Sequence, residues 1–297
     1  MGYLHISNLY RPEVQQILEF KRLFALEKIH GTSAGTHWKK GQLSFHSGGE
    51  SHDRFVTLFD AEHLTRQFTE KFGDQIDVSV FGEAYGGKQQ GMSATYGKDL
   101  RFVAFDVQID GKWLDVPRAT AFVESVGLEF VSWAEIPGTV EAADAERDKP
   151  STQATRNGVE GEHIREGVVL RPPFEVTLNN GARLIAKHKR AEFSERKTIP
   201  NIDPAKAEIL SAAGAIADEW VTPMRLDHVL DHLKADLGRD ILISDMPKII
   251  AAMTEDVFRE AAGEIVESKD AKRAIGQKTV RLFKAHLEAG LRGPVSS

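Results

Sequence analysis

The chain has 297 residues, with 38 lysines and arginines against 44 aspartates and glutamates, no cysteine and a formal charge of −6. That length suffices for two domains with their own cores, and the acidic balance argues against indiscriminate coating of nucleic acid, although phosphate affinity follows the local field and not the total. Without cysteine there is no disulfide framework, thiol nucleophile or cysteine zinc site. The longest apolar runs fall far short of a membrane span, and Met1-Gly2-Tyr3-Leu4-His5 lacks a signal pattern, so a cytoplasmic protein with no membrane partner is expected.

In chain order, Pro12 to Leu26 reads as a helix, and Gln42 to His46 as a strand. Asp60 to Phe72 reads as a second helix, then Asp77 to Gly82 as a strand that runs into the glycine-rich Glu83-Ala84-Tyr85-Gly86-Gly87. Arg101 to Ile109 is strand-like. Asp110-Gly111 then marks a hairpin turn before Lys112-Trp113-Leu114. Pro117 to Val126 predicts a helix with proline in its first turn. Asp144 to Gly161 is polar, charged and poor in large apolar residues, and reads as a mobile connection. Gly167 to Leu170 and Arg183 to Lys187 complete the strand-like segments.

From Ile199 the character changes. Asp203-Pro204 and Thr222-Pro223 each offer an N-cap residue followed by proline, and Leu226, Val229, Leu230, Leu233 and Leu237 recur at helical spacing. Pro247 to Ser268 and Asp270 to Ala289 also fit helices, with Gly290 as a stop. The pattern predicts a mixed α+β domain over 1–200 and a smaller all-α domain over 201–297.

Five motifs stand in order along the first part: Glu27-Lys28-Ile29-His30-Gly31-Thr32-Ser33, Phe81 to Gly87, Phe102-Val103-Ala104-Phe105-Asp106, Glu166 to Arg171, and Ile185-Ala186-Lys187-His188-Lys189. A Lys-x-x-Gly tetrad alone is weak. Here an acid, an aromatic, a second acid and a lysine pair follow it in sequence. The constellation resembles the covalent nucleotidyltransferases, which include polynucleotide ligases and mRNA capping enzymes. Its wording is most similar to the ATP-dependent RNA ligases of the phage T4 RNA ligase 2 type. DNA ligases and capping enzymes usually follow this domain with a β-rich OB domain; the helical tail here favours the RNA ligase group.

The resemblance implies an α+β nucleotidyltransferase (adenylyltransferase) domain with antiparallel sheets enclosing ATP. It also implies chemistry in stages, so that one difficult displacement becomes several easier ones. Lys28 is the candidate nucleophile, activated by desolvation, nearby cations or a metal. Lys187 and Lys189 would supply a positive field and hold the α-phosphate. His30 would serve steps after lysine adenylylation, or else be a solvated turn residue. Gly31 would allow close backbone approach, with main-chain atoms around Glu27 and Ile29 reading the adenine edge. Glu83 would bind a ribose hydroxyl and Phe105 would stack on adenine, with Phe102 the competing aromatic.

Glu166 is the metal candidate, because Mg2+ (or Mn2+) accepts one carboxylate together with phosphate oxygens and water. Arg171 is read either as a phosphate contact or as a strand-end charge. Ser33 stands where close relatives often have asparagine, and Arg54 is the nearest arginine for a ribose or phosphate contact. The basic run from Arg183 to Lys197 reads as a phosphate-facing surface. The reading is therefore a monomeric ATP-dependent RNA ligase acting on RNA ends, especially nicked duplex RNA. Its rivals are a DNA ligase or capping-type enzyme, and a catalytically dead protein that binds nucleic-acid ends.

Overall fold

The computed structural model describes residues 2–194 and 213–292. The chain divides into two compact units after Glu192. The boundary expected at residue 200 lies outside the described residues.

The first unit is α+β and built on two antiparallel sheets. One sheet has the order β7-β1-β8-β9, from Trp133–Pro137, Arg22–Lys28, Gly167–Arg171 and Ala186–Lys189. The other has the order β3-β2-β4-β5-β6, from Gln42–Ser47, Thr32–Lys39, Val78–Gly86, Leu100–Ile109 and Lys112–Trp113. β1 belongs to the first sheet and β2 to the second. Only Ile29, His30 and Gly31 join them, and all three are buried.

Leu23 to Leu26 belong to β1 and not to the helix expected over Pro12 to Leu26. The helical part is only α1 (Pro12–Gln15) and a 3-10 turn over Gln16–Glu19. Leu23, Phe24, Ala25 and Leu26 are each at most 6% exposed, because β1 is paired on both edges and covered on both faces. A strand buried on both faces is apolar without alternation, so its period does not separate it from a buried helix.

After α2 (His52–Val56), α3 (Ala61–Phe72) starts at Asp60, whose carboxylate accepts the His63 N–H. Following the short α4 (Ser93–Tyr96), α5 (Val116–Ser125) starts at Asp115, which accepts the Arg118 N–H. These caps satisfy first-turn donors. Leu64 and Phe68 of α3, and Ala119 and Val123 of α5, then join Trp38, Val78, Val80 and Val107 in one core cluster. At the β5–β6 hairpin, Asp110 and Gly111 have φ of 47° and 74°, as a type I′ turn requires.

Residues 144–161 are not a mobile connection. They include the end of α6 (Val140–Arg147) and all of α7 (Thr152–Arg156), with Glu146, Ser151, Gln153 and Ala154 buried. Their polarity was misleading because the side chains meet polar partners inside the protein, which makes burial tolerable.

The second unit is helical in its described part: α8 (Ala213–Trp220), α9 (Pro223–Leu237), α10 (Met246–Glu260) and α11 (Lys269–Arg292). Thr222 caps α9 through the Arg225 N–H, and Leu226, Val229, Ile249, Met253, Ile275 and Phe283 share its core. The Asp203-Pro204 start lies outside the described residues. α11 runs past Gly290, whose helical penalty of about 1 kcal/mol is too small to force a stop. No helix among the described residues is long and apolar enough to cross a membrane.

Candidate active site

Strand register builds the site. Lys28 on β1 lies opposite Gly167 on β8, and Gly167 lies opposite Lys189 on β9. Glu166, immediately before Gly167, therefore enters between the two lysines. Its Oε2 is 2.9 Å from Lys28 Nζ and 3.3 Å from His30 Nδ1, and its Oε1 is 2.9 Å from Lys189 Nζ. The carboxylate is fully buried, while the Lys28 side chain keeps 22% of its exposure. Burial alone would raise the Glu166 pKa. Lys189, Lys28 and His30 outweigh it and hold the carboxyl well below the usual carboxylate range.

Two glycines make this approach sterically feasible. A Cβ on Gly167 would lie 2.2 Å from His188 O, and one on Gly31 would lie 2.3 Å from Ala84 O. The Gly31 N–H donates to Glu83 Oε1 at 3.1 Å, tying the turn after Lys28 to the second sheet. The His30 N–H donates to the Tyr96 hydroxyl at 3.3 Å. Burial raises the Tyr96 pKa strongly, so that hydroxyl stays protonated. His30 is 5% exposed and faces Glu166, so it is not a solvated turn residue.

Ser33 lies opposite Glu83 in the β2–β4 register. Phe105 occupies the irregularity where the β4–β5 register shifts, and packs edge-on against Tyr3 at 4.8 Å. Phe102 instead packs with Phe55 and Phe59, in a cluster with Ala34 and Ala84. Lys187 lies two residues before Lys189 on β9, and its backbone bonds the N-terminal segment through Ser7 and Leu9.

Several basic residues have structural duties. Arg171 is 2% exposed and Arg183 9%; both bind Asp106 and Glu175, and Arg183 stacks over Trp113 at 3.9 Å. Arg171 is thus an interior ion-pair member rather than a phosphate contact, and Arg183 drops out of the basic surface. Arg190 donates to Asp148 O and Glu192. Arg196 and Lys197 lie outside the described residues. Arg54 is largely exposed and pairs with Glu50 at 3.4 Å; among the described residues no hydrogen bond or ion pair joins it to the Glu166 cluster.

Sequence reasoning missed the work of the Glu27 side chain, which is 2% exposed. Its carboxylate accepts from the Ser132 and Ser151 hydroxyls at 2.9 and 2.6 Å, and from the Thr152 N–H at 3.1 Å. The Glu27 N–H donates to Ser132 O at 2.8 Å, so it is not available to an adenine edge. It also missed Asp106; an acid inside the apolar run Val103 to Ile109 was the available signal, since a buried charge demands partners.

A divalent cation fits here only in one way. Glu166 Oε1 has no well-directed hydrogen bond although the Lys189 ammonium is close, and a hard carboxylate oxygen suits Mg2+. No group of three His, Asp or Glu able to hold a metal occurs among the described residues. If a cation bound Glu166, its remaining ligands would have to come from water or a bound phosphate.

The RNA ligase family model matches residues 21–189, the span that holds every one of these motifs. The chain belongs to the RNA ligase family. Solved structures similar to this family member include a Naegleria gruberi RNA ligase variant with AMP and Mn, at 15% identity and a TM-score of 0.49, covering 65% of this chain and 57% of that one. A Naegleria gruberi RNA ligase with PPi matches at 17% identity and 0.46, with the same coverage. An archaeal ATP-dependent RNA ligase matches at 17% identity and 0.46, covering 99% of this chain and 67% of that one. The chain thus spans little more than half the length of the Naegleria gruberi protein. Comparison with curated proteins gives no match.

Proposed function

We propose that this chain is an ATP-dependent RNA ligase of the phage T4 RNA ligase 2 type, acting in the cytoplasm as a monomer on nicked duplex RNA. The observation that carries the reading is the gathering of Lys28 and His30 from the first motif and Lys189 from the last on the buried Glu166 carboxylate of a third. A solvated surface lysine has no need of such surroundings.

In the proposed reaction Lys28 Nζ, once deprotonated, attacks the α-phosphorus of ATP. A P–N bond forms and the bond to pyrophosphate breaks. The RNA 5′-phosphate then takes the AMP, breaking P–N and forming a pyrophosphate link. Finally the 3′-hydroxyl attacks that 5′-phosphate, forming the phosphodiester and expelling AMP. An ammonium has no lone pair, so Lys28 must first release a proton to solvent, which ends its ion pair with Glu166, before it can attack. Lys187 and Lys189 hold the α-phosphate, Glu83 and Ser33 serve the ribose, and Phe105 stacks on adenine. Mg2+, replaceable by Mn2+, would bind Glu166 and neutralise charge on the α-phosphate and departing pyrophosphate.

The family match, together with the lysine and carboxylate gathered at the site, supports ATP and a divalent metal for this chain. The helical domain beyond residue 200 is assigned to holding RNA. Arg273, Arg281 and Lys284 lie exposed along α11 at helical spacing, in keeping with phosphate contacts.

The test is incubation with α-labelled ATP and magnesium, followed by denaturing electrophoresis. The expected product is an acid-labile protein–AMP adduct that Lys28→Ala abolishes. An adduct that persists in Lys28→Ala overturns the assignment. Labelling by GTP, or sealing of nicked DNA in preference to nicked RNA, would move the protein to the capping or DNA-ligase class.

A further inference from the structure

Each of the three side chains that meet in the site follows directly after a residue anchored to one and the same segment. Before Lys28 comes Glu27, whose carboxylate takes Ser151 Oγ, the Thr152 N–H and the Gln153 N–H at 2.6, 3.1 and 3.2 Å. Before Glu166 comes Arg165, 3% exposed, which donates to Glu146 Oε1 at 3.1 Å and to Pro150 O at 3.0 Å. Before Lys189 comes His188, whose Nε2 lies 2.6 Å from Asp144 Oδ1; Arg147 donates to the same oxygen at 2.7 Å. All of these partners lie in residues 144–153, on α6, α7 and the turn between them.

The geometry has a simple origin. Along a strand, neighbouring side chains point to opposite faces. If Lys28 on β1 and Lys189 on β9 project into the site, then Glu27 and His188 project away from it. α6 lies against all four strands of that sheet, so it is there to receive them. The polar, charged composition of residues 144–153 is then what this receiving surface requires. Burial of Glu27, Glu146 and Arg165 without partners would be costly, and each has them.

We infer that α6 and α7 form a positioning platform, and that Glu27, Arg165 and His188 set the mutual placement of Lys28, Glu166 and Lys189 by holding the backbone beside them. None of the three anchors touches the reacting atoms. Their effect passes through placement alone, to which reaction rates are sensitive: a displacement of about 1 Å can cost roughly a hundredfold. The inference rests on the ligase reading, in which those three residues act together on ATP.

The His188 anchor is the most direct to test, because Asp144 is partly exposed and its loss leaves little buried charge unpaired. The measurement is the single-turnover rate constant of lysyl–AMP formation at saturating ATP, taken with the burst amplitude. A substitution that merely unfolds some molecules lowers the amplitude and leaves the rate constant alone. Asp144→Ala and His188→Leu are each expected to slow the rate constant about tenfold or more with amplitude largely kept. His188→Gln, which retains a donor toward Asp144, should recover most of it. Wild-type rate constants in both Asp144→Ala and His188→Leu, or loss confined to amplitude, overturn the platform. That outcome is distinct from failure of the ligase reading, in which the unaltered protein forms no adduct.

Discussion

Replacing Glu166 by glutamine keeps the shape of the side chain and removes the charge on which Lys28, His30 and Lys189 converge. Removing one partner of a buried ion pair typically costs about 3–5 kcal/mol, because the remaining charge is left uncompensated. Lys28 and Lys189 retain 22% and 11% side-chain exposure, and can relax partly toward water, so the lower end, about 3 kcal/mol, applies. For a unit of this size, that is a fall in Tm of roughly 6–12 °C. Glu166 also has a depressed pKa, so its contribution is present above the ordinary carboxylate pKa and is lost as pH falls through its folded value. The gap in Tm between wild type and Glu166→Gln should thus be full near neutrality and shrink only in strong acid. Thermal melts across pH, with adduct yield at temperatures where both proteins are folded, separate stability from chemistry. The folded variant should fail to label. A variant that melts with wild type at neutral pH and labels normally would refute both the charge cluster and its role.

Burial lowers His37 to a pKa of about 4; its Nδ1 contacts Ser79 Oγ and its Nε2 has no hydrogen-bond partner. The unfolded chain binds this proton below about pH 6.5, so wild type should lose stability as pH falls from there toward 4, and thermal melts of His37→Gln should show less of that loss. A chain truncated after Pro200 should still form lysyl–AMP but lose most sealing of a pre-adenylylated nick; sealing at the full-length rate would assign the helical domain another task.

The order of the motifs was legible because each pairs a reactive side chain with local turn or strand chemistry, as in Lys28 with Gly31 and Glu166 with Gly167. What stayed hidden depended on long-range neighbours. Leu23 to Leu26 could not be told from helix because β1 is covered on every side. Arg171 and Arg183 looked like phosphate ligands because Asp106, far away in sequence, does not announce that it will bind them. Ser151 to Gln153 read as loop for the same reason: their partner, Glu27, lies more than a hundred residues earlier.

Surface connections ordinarily absorb insertions and deletions with little penalty. The crossing at Ile29, His30 and Gly31 is of another kind. Three residues reach about 10 Å at full stretch, and here they must leave one sheet, pass a wall formed by Ala84 and Tyr85, and enter the next. The linker has no slack to give. An added or deleted residue would not lengthen or shorten a loop; it would drag Lys28 along β1 or Ser33 along β2 and break the alignment with Gly167 or Glu83. This short crossing acts as a ruler. In any collection of working variants of this protein, length changes should be absent from residues 29–31 and accumulate where the chain turns in the open, as at Asp110-Gly111.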